Sequence, residues 1–429
     1  MSNLKVAIAG LGTVGAGVVK LLKENKAEIE AHTGHTIEVV AVSARNKNKD
    51  RGIEISGLQW FENPLDIANA EADVIVELMG GEGDPAYSLV KRSLENGKAV
   101  ITANKALLAC CGLELAKISE ENKAPLMFEA AIAGGIPIVK MLREGLAANK
   151  IKKLYGILNG TCNYILSTME DTGRDFDDVL KEAQEKGYAE AEPSLDVDGG
   201  DTAHKLSLLT ALAFGVVPDI QSVSISGIRM ITAQDIQSAD ELGYRIKLLG
   251  QADMDSEGRI IQVVEACLIP KTASLANVHG VLNAVYTEGN YAGSSFIEGR
   301  GAGAGPTASA VVADLIDLAR NNTTAPFGRP VQGLKKAEMI NPEEKTGEYY
   351  IRLDVLDQPG VIADVAAILR DYNISIESLI QRGRDPGQKV SVVLTTHEAK
   401  RRNLNEAAKM IEALASVSSA PVILQRILL

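Results

Sequence analysis

Residues 4–25 read LKVAIAGLGTVGAGVVKLLKEN, which is the clearest indication of fold in the N-terminal part of the chain. A short β-branched run leads into Gly10-x-Gly12-x-x-Gly15 and then into an amphipathic helix pattern. Glycines at this spacing permit a tight turn, close approach of the backbone to a pyrophosphate, and close packing of the helix on the strand. The helix N-terminus adds the positive end of its dipole. The stretch predicts a dinucleotide-binding turn, and a glycine-rich turn of another α/β domain is the alternative.

The same alternation of strand and helix patterns continues through the next hundred residues. Strands are predicted at 37–44, 72–80, 99–104 and 124–132, with a helix through 85–96. Alternating elements of this length are typical of a doubly wound parallel sheet. We therefore predict a Rossmann-like dinucleotide-binding domain over residues 1–132.

The end of the second predicted strand indicates which dinucleotide is bound. A site that selects NAD usually places an acidic residue there, to hold the ribose hydroxyls. In this sequence the strand ends in Arg45, and Lys47 and Lys49 follow. A guanidinium suits a 2′-phosphate better than a bare ribose, so we expect NADP(H) to be preferred over NAD(H).

A lysine also follows a buried strand in TANK, residues 102–105. Ligands of open α/β sheets bind beyond the carboxyl ends of the strands. Lys105 is therefore predicted to lie near the nicotinamide or the substrate, although a solvated lysine is the simpler alternative.

The stretch DVDGGDTAHKLSLL, residues 196–209, places an ammonium on an apolar helix face. Lys205 shares that face with leucines three, four and seven residues later, and Asp201 lies one turn before it. An ordinary helix cap at Asp201 with an i,i+4 ion pair is one interpretation. The other is a proton donor held by Asp201 at the end of the long acidic loop 187–201, since such loops are uncommon unless functional.

Composition excludes several classes of protein. The 429 residues carry 44 basic and 56 acidic side chains, a net charge of −12, which argues against a nucleic-acid partner. No apolar run reaches the roughly 18 residues of a membrane span, and glycines interrupt the N-terminus too early for a signal peptide. Four cysteines without a CxxC motif suit the cytoplasm. His32 and His35 have no other metal ligands nearby in sequence.

The last 84 residues form a separate pattern after a plausible linker, NPEEKTGE. Strand, helix, strand, strand, helix and strand follow one another, with turns at Gln358-Pro359-Gly360 and Asp385-Pro386-Gly387. The order β-α-β-β-α-β predicts a ferredoxin-like unit over residues 346–429.

Six motifs in order carry a resemblance that covers essentially the whole chain. They are GLGTVG, TANK, FEAAIAGGIPI, NGTCNYIL, GYAEAEPSLDVDGGDTAHKL and GRGAGAGPTA. Together they resemble the bacterial homoserine dehydrogenase family with a C-terminal ACT domain. The resemblance implies NAD(P)H-dependent, reversible reduction of L-aspartate 4-semialdehyde to L-homoserine, on the route to threonine, methionine and isoleucine. It also implies an α+β catalytic and dimerisation domain over residues 133–320, whose final helix, at about 306–320, packs back on the first domain.

The resemblance also assigns site residues by position. Those expected to bind the cofactor are Gly10, Leu11, Gly12, Thr13, Val14, Gly15, Arg45, Lys105, Gly187 and Gly303. Those expected to bind substrate are Thr161, Tyr188, Glu190, Asp196 and Asp201. Lys205 is expected to donate the proton, assisted by Lys105 and Asp201. A monovalent cation, sodium, is expected at Glu129, Ile132, Gly134 and Ile136, mostly on backbone oxygens.

Regulation and assembly are expected from the ACT-like unit. Such units pair edge to edge and bind amino acids, so a homodimer or homotetramer inhibited by threonine is expected. A chain ending near Asn341 should then stay active and lose inhibition. No role is assigned to Asp198. Two rival functions remain at this point: a semialdehyde dehydrogenase forming a thioester on Cys162, and a non-catalytic amino-acid-sensing regulator.

Overall fold

The computed structural model describes residues 3–381 and 388–428, and these residues form two β-sheets covered by helices. The N-terminal strands and helices alternate along the chain. They are β1 (Asn3–Ala9), α1 (Thr13–Glu24), α2 (Lys26–Thr33), β2 (Thr36–Ser43), β3 (Gln59–Phe61), β4 (Val74–Glu77), α3 (Ala86–Glu95), β5 (Ala99–Thr102), α4 (Lys105–Asn122) and β6 (Leu126–Met127).

The first sheet has the order β3-β2-β1-β4-β5-β6, and every pairing in it is parallel. Val6, Ala7 and Ile8 of the central strand β1 are fully buried, as expected for a strand with helices on both faces. The predicted doubly wound parallel sheet is confirmed. Its carboxyl ends lie together at one edge, where β1, β4 and β5 are followed by loops.

The strand predicted at 124–132 is shorter in the structure. After β6 the chain forms a 3₁₀ turn at Glu129–Ala131. The buried Glu129 carboxylate accepts hydrogen bonds from the backbone N–H groups of Val139 and Lys140, each at 2.9 Å. The Glu129 N–H donates to Asp314 at 3.0 Å. These long-range bonds turn the backbone away from the sheet, which the local apolar pattern could not indicate.

The middle of the chain forms most of the second sheet and the helices beside it. Its elements are α5 (Ile138–Lys140), β7 (Ile151–Ile157), α6 (Gly160–Thr172), α7 (Phe176–Glu185), α8 (Ser194–Val197), α9 (Gly200–Phe214), β8 (Ser224–Ile225), α10 (Ala233–Glu241), β9 (Tyr244–Met254), β10 (Ile260–Pro270), β11 (Leu282–Gly289), β12 (Gly293–Arg300) and α11 (Ala304–Ala319). A π-helical turn, Met141–Gly145, follows α5.

Helix α11 packs against α1 of the N-terminal sheet, although it follows the middle region in sequence. A Cβ built on Gly17 would lie 3.0 Å from the carbonyl oxygen of Ala304, so the two helices touch closely. Val311 and Leu315 are fully buried in the same apolar cluster as Val6. The helix therefore joins the middle region to the N-terminal sheet and its helices.

The C-terminal unit has the predicted β-α-β-β-α-β order, with one additional two-residue strand. Its elements are β13 (Thr346–Leu356), α12 (Val361–Asp371), β14 (Ile376–Gln381), β15 (Lys389–Thr396), β16 (Ala399–Lys400), α13 (Arg401–Glu412) and β17 (Val422–Arg426). The predicted turn at 385–387 lies outside the described residues.

The C-terminal unit is joined to the middle region by a continuous sheet rather than by a linker alone. The order in the described chain is β12-β11-β7-β9-β10-β17-β13-β15-β14. Strand β17 pairs in parallel with β10, where Leu268 lies opposite Arg426. A chain ending near Asn341 would lack this neighbour of β10 and uncover buried apolar surface. We therefore expect such a chain to be less stable, and that it stays active and loses inhibition remains a prediction.

Strand β13 is buried on both faces, and each face belongs to a different core. Tyr349, Ile351 and Leu353 pack among the helices of the C-terminal unit. Tyr350, between them in sequence, belongs to the large core of the middle region. Side chains alternate across a strand, so β13 holds the two regions together.

No helix in residues 3–381 or 388–428 has both the length and the apolar composition needed to cross a membrane.

Candidate active site

Two lysines meet one buried aspartate where the N-terminal sheet contacts the middle region. Lys205 Nζ donates to Asp201 Oδ2 at 2.8 Å, and Lys105 Nζ lies 3.1 Å from Asp201 Oδ1. Asp201 and Lys205 lie in α9, whereas Lys105 is the first residue of α4, directly after β5. Asp201 is 5% exposed and Lys205 is 9% exposed. We call Lys105, Asn159, Asp196, Asp201 and Lys205 the lysine–aspartate cluster.

Asn159 connects the two aspartates of the cluster. Its Nδ2 donates to Asp196 Oδ1 at 2.7 Å and to Asp201 Oδ2 at 2.9 Å. Its Oδ1 accepts from the N–H of Cys162 at 2.8 Å, which caps the start of α6. One amide thus fixes the two carboxylates relative to α6. The sequence showed Asn159 only as the first residue of the motif NGTCNYIL, with no role assigned to it.

The surroundings of Asp201 and Asp196 shift the pKa values of the two carboxyl groups in opposite directions. Burial raises the pKa of Asp201, but the nearby ammonium groups of Lys205 and Lys105 more than offset it, so the pKa is well below its usual range. Burial raises the pKa of Asp196, despite the hydrogen bond from Asn159. Asp201 therefore remains ionised at neutral pH and compensates the charge of the lysines around it.

Lys205 retains one donor for another molecule. An ammonium group has three N–H donors. In the described structure, one donor of Lys205 binds Asp201 and another binds the carbonyl oxygen of Leu158 at 2.7 Å. The third N–H has no partner in this part of the chain. A buried, oriented ammonium with a free N–H can donate to an oxygen on which negative charge develops.

Asp201 is not the helix cap, and residues 187–201 are not one continuous loop, so both of these predictions from the sequence are wrong. Helix α9 begins at Gly200, and its N-cap is Gly199 with φ +90°. Asp201 lies inside the first turn and does not cap the helix. Within the expected loop, Ser194–Val197 forms the short helix α8, which carries Asp196.

The glycine turn after β1 has the geometry that a dinucleotide requires. Gly10 has φ +105°, and a Cβ there would lie 2.6 Å from the carbonyl oxygen of Leu78. A Cβ on Gly15 would lie 2.1 Å from the carbonyl oxygen of Gly10, so helix and turn touch. Gly12 has no atom within 4 Å of its Cβ position and precedes Thr13, the first residue of α1. Space is therefore open at the helix N-terminus, where a pyrophosphate would bind.

Two residues that the sequence analysis did not single out shape the adjacent edge of the sheet. Glu77, fully buried at the end of β4, accepts from the N–H groups of Met79 and Gly80 and from the hydroxyl of Thr102 at 2.6 Å. Asn104 caps α4 by accepting from Leu107, which orients Lys105 in the first turn. A buried glutamate in a β-branched strand could have indicated the first of these.

Basic residues surround the loop after β2. Arg45 is exposed and lies two residues after the end of that strand. Arg51 Nε donates to the carbonyl oxygen of Leu11 at 2.9 Å, so it joins this loop to the glycine turn. The sequence analysis missed Arg51, whose contact spans 40 residues.

Three oxygen atoms of buried residues around the turn after β6 accept no hydrogen bond among the described residues. In the described residues, no hydrogen bond reaches the carbonyl oxygens of the buried Ile132 and Gly134. Asp314 Oδ1 is also buried without a partner. Ile136 lies in the same turn, and its carbonyl oxygen accepts from the N–H of Ile138 at 2.8 Å. Buried oxygens rarely remain unpaired, so this junction suits a cation that takes oxygen ligands.

Family models match three consecutive parts of the chain. Residues 10–129 match the model described as homoserine dehydrogenase, NAD binding domain, and residues 137–316 match the model described as homoserine dehydrogenase. Residues 349–416 match the ACT domain. A homoserine dehydrogenase of Pseudomonas aeruginosa is 44% identical over 435 residues, covering 100% of this chain and 99% of the relative.

The chain belongs to the homoserine dehydrogenase family.

Solved homoserine dehydrogenases have the same architecture. The crystal structure of the enzyme from Thiobacillus denitrificans has a TM-score of 0.93 at 42% identity, and the match covers 99% of this chain and 98% of that chain. A hyperthermophilic archaeal homoserine dehydrogenase in complex with NADPH has a TM-score of 0.62 at 26% identity, over 73% of this chain and 97% of that chain. The family resemblance inferred from the six sequence motifs is confirmed. The chain is an oxidoreductase of this family.

Several residues expected at the homoserine dehydrogenase substrate site lie outside the lysine–aspartate cluster. Thr161 Oγ1 donates to the carbonyl oxygen of Tyr188 at 2.6 Å, which fixes the chain after α7 against α6. Tyr188 is 45% exposed and its ring packs edge-on against Tyr164. Glu190 is exposed, and in the described residues its carboxylate forms no ion pair with the cluster lysines. In the described contacts, these three residues are therefore not part of the lysine–aspartate cluster.

Two glycines expected at the cofactor site lie in exposed loops. Gly187 has φ +74° at the end of α7, and no atom lies within 4 Å of its Cβ position. Gly303 has φ +116° and caps α11. The loop before α11 touches the turn after β6, since a Cβ on Gly134 would lie 2.4 Å from the carbonyl oxygen of Gly301. Gly303 is therefore adjacent to the junction with the unpaired oxygens.

The structure also settles the position of Cys162 and the contacts of Asp198. Cys162 is fully buried, its Sγ lies 3.2 Å from the carbonyl oxygen of Asp196, and burial raises the pKa of its thiol well above the usual value. Such a thiol is not a nucleophile, so the rival thioester function is disfavoured. Asp198 forms a two-bond ion pair with Arg229, at 2.5 and 3.1 Å.

Proposed function

We propose that this homoserine dehydrogenase reduces L-aspartate 4-semialdehyde reversibly to L-homoserine with NADPH, and that Lys205 donates the proton. The observation that carries the proposal is the buried Lys205 ammonium, held by Asp201 and the carbonyl oxygen of Leu158 with one N–H free. The assay is the decrease in NADPH absorbance on addition of aspartate semialdehyde. No turnover would leave the proposed reaction without support.

Different residues of the lysine–aspartate cluster act on different groups of the substrate. NADPH, when bound, supplies the hydride that the aldehyde carbon accepts. Lys205 donates a proton to the aldehyde oxygen as negative charge develops there. Asp201 holds Lys205 in place, and Lys105 adds a second positive charge. Asp196 and the exposed Glu190 suit the α-ammonium group of the substrate, with Thr161 and Tyr188 lining the same side.

The glycine turn and the basic residues beside it support NADPH as the preferred cofactor. Gly12 leaves space at the helix N-terminus for the pyrophosphate. Arg45 is exposed and lies two residues after the end of β2, where an acidic residue would hold an unphosphorylated ribose. The archaeal relative was solved in complex with NADPH. We propose that Arg45 binds the 2′-phosphate.

Arg45→Ala should raise KM for NADPH by about tenfold, the loss expected for a charge-assisted hydrogen bond. KM for NADH should change less than about twofold, because NADH lacks the phosphate, so NADH serves as the control within the same variant. Initial rates with each cofactor measure both constants. Equal increases for the two cofactors would remove Arg45 from the phosphate site.

The unpaired oxygens around Ile132, Gly134 and Asp314 support a monovalent cation at the domain junction. Alkali cations take oxygen ligands, including backbone carbonyls. No group of three or more His, Cys, Asp or Glu side chains in the described chain could hold a metal ion. We propose sodium, held at Glu129, Ile132, Gly134 and Ile136 mostly by backbone oxygens, with the Glu129 carboxylate fixing the turn.

Removing sodium should lower the thermal stability of the enzyme. Replacing sodium chloride by N-methylglucamine chloride at equal ionic strength should lower Tm by about 2–5 °C, since a ligand bound only to the folded state stabilises it. Differential scanning calorimetry measures the shift without any assay of turnover. Identical Tm values in the two salts would argue against the cation.

The ACT domain supports regulation by an amino acid, and we propose threonine as the inhibitor and a homodimer or homotetramer as the assembly. Both follow from the family resemblance. Adding L-threonine to the NADPH assay tests the inhibition, and analytical ultracentrifugation tests the assembly.

The expected cytoplasmic location stays a prediction.

A further inference from the structure

Residues 226–235, which we call the bridging segment, connect the helix that carries Asp196 with the ACT domain. The segment follows β8, contacts α8 near its start and enters α10 at its end. Neither contact was indicated by the sequence.

The start of the bridging segment lies directly on the last residue of α8. A Cβ on Gly227 would lie 2.2 Å from the carbonyl oxygen of Val197, so only glycine fits there without a shift of the backbone. The N–H of Ile228 donates to the same carbonyl oxygen at 2.9 Å. The end of α8 therefore cannot move far without moving the segment.

Arg229 holds both ends of α8 at once. Its guanidinium binds the carboxylate of Asp198, directly after the helix, with two hydrogen bonds. Its Nη2 also donates to the hydroxyl of Ser194, the first residue of the helix, at 3.0 Å. A planar guanidinium with several fixed donors restrains orientation as well as position.

The other end of the bridging segment is anchored in the ACT domain through Asp235. This side chain is fully buried. Its Oδ2 accepts from the N–H of Thr232 at 2.9 Å and from the Thr232 hydroxyl at 2.8 Å, as part of a capping box. Its Oδ1 accepts from Arg352 Nε at 2.8 Å and from the hydroxyl of Tyr350 at 3.0 Å. One carboxylate thus binds the start of α10 and the catalytic-side face of β13.

We propose that Arg229, Asp235 and Arg352 are positioning residues through which the ACT domain sets the affinity for homoserine. A displacement of β13 moves Asp235 and the start of α10. The bridging segment passes this displacement to α8 through Arg229. Helix α8 carries Asp196, whose carboxylate is bound by the amide that also holds Asp201. The inference rests on the proposed substrate role of Asp196.

The test compares Michaelis constants of single and double variants. Arg352→Met should raise KM for homoserine about fivefold or more, a typical size for coupling between sites, and leave KM for NADP⁺ within about twofold. Arg229→Met, at the exposed end, should raise KM for homoserine about three- to fivefold. The double variant should be no worse than about the larger single effect, because both changes act through one segment.

The matched control is Lys345→Met. Lys345 also joins the ACT side to the catalytic sheet, donating to Gln251 at 2.9 Å, but its contacts lie on β9 rather than on α8 or α10. The KM of the Lys345→Met enzyme for homoserine should stay at the wild-type value. An equal increase in this control, a wild-type KM in Arg352→Met, or multiplying effects in the double variant would each overturn the inference.

Further variants separate this inference from the proposed substrate site. Arg352→Lys keeps a positive charge beside the buried Asp235, so it replaces Arg352→Met if that variant does not fold, with a smaller increase expected. Asp196→Asn should raise KM for homoserine. If Asp196→Asn raises KM for homoserine and the arginine variants leave it unchanged, only the positioning role is overturned. If the arginine variants raise KM for homoserine and Asp196→Asn leaves it unchanged, the route through α8 is wrong.

Discussion

Replacing Lys205 with methionine should lower kcat by about 10²–10⁴-fold, the usual contribution of a positioned general acid. Methionine keeps the apolar stem of the side chain in the core and removes only the ammonium group. KM for NADPH should change little, because the cofactor is expected to rest on the glycine turn and Arg45. Steady-state kinetics in both reaction directions measure these constants.

Stability should be nearly unchanged in Lys205→Met. Loss of one partner usually destabilises a buried ion pair because the other charge is left alone. Here Asp201 would still bind Lys105 and the amide of Asn159. An i,i+4 ion pair without a catalytic role predicts a kcat near wild type and a similarly small stability loss, below about 0.5 kcal/mol, so kcat is the measurement that distinguishes the two interpretations.

Lys247→Met is the matched control for Lys205→Met. Lys247 is also buried, at 1% exposed, and its ammonium donates to the carbonyl oxygen of Val278 at 2.6 Å and to Asn163. It has no contact with the lysine–aspartate cluster among the described residues. The kcat of the Lys247→Met enzyme should stay within about fivefold of wild type. A native kcat in Lys205→Met would end the assignment of the proton donor.

The second large effect is expected at the glycine turn. Gly15→Ala should lower kcat/KM for NADPH and NADH alike by about 100-fold or more, because the new Cβ would lie 2.1 Å from the carbonyl oxygen of Gly10. The backbone of either the turn or α1 must move, which should also cost about 1–3 kcal/mol of stability. Denaturant unfolding and initial rates measure the two effects.

Gly12→Ala separates folding from cofactor binding. Gly12 has φ −79°, a value that alanine adopts, and its Cβ position has no atom within 4 Å. Stability should therefore change by less than about 0.5 kcal/mol. KM for both cofactors should still rise, by about tenfold, because the methyl group would occupy the space where the backbone meets the pyrophosphate. Normal cofactor kinetics in Gly12→Ala would place the dinucleotide elsewhere.

Local patterns predicted the parts of this enzyme that depend on neighbours in sequence. The turn at Gly10–Gly15 was readable because strand, glycines and helix follow one another directly. Lys205 stood out because an apolar helix face and an aspartate one turn earlier surround it. The C-terminal βαββαβ order was likewise visible from turns and periodicity alone.

Features that depend on distant residues could not be predicted from the sequence. Asn159 and Asp201 are 42 residues apart, and Asp198 and Arg229 are 31 apart. The hydroxyl of Thr102, which donates to the buried Glu77 carboxylate at 2.6 Å, lies 25 residues from it in sequence. Pairing between β10 and β17 involves two residue pairs and leaves no periodic signal. Tertiary contacts decide all of these.

Insertion of β17 beside β10 has a consequence for how the enzyme is made on the ribosome. Leu268 pairs with Arg426, and the roughly 160 residues between them take roughly 10–30 s to synthesise at ~5–20 residues per second. During that interval the nascent catalytic sheet has an open edge at β10, a strand of which nearly every residue is buried in the finished enzyme. Protection of this edge by chaperones should matter most for this stage of biosynthesis.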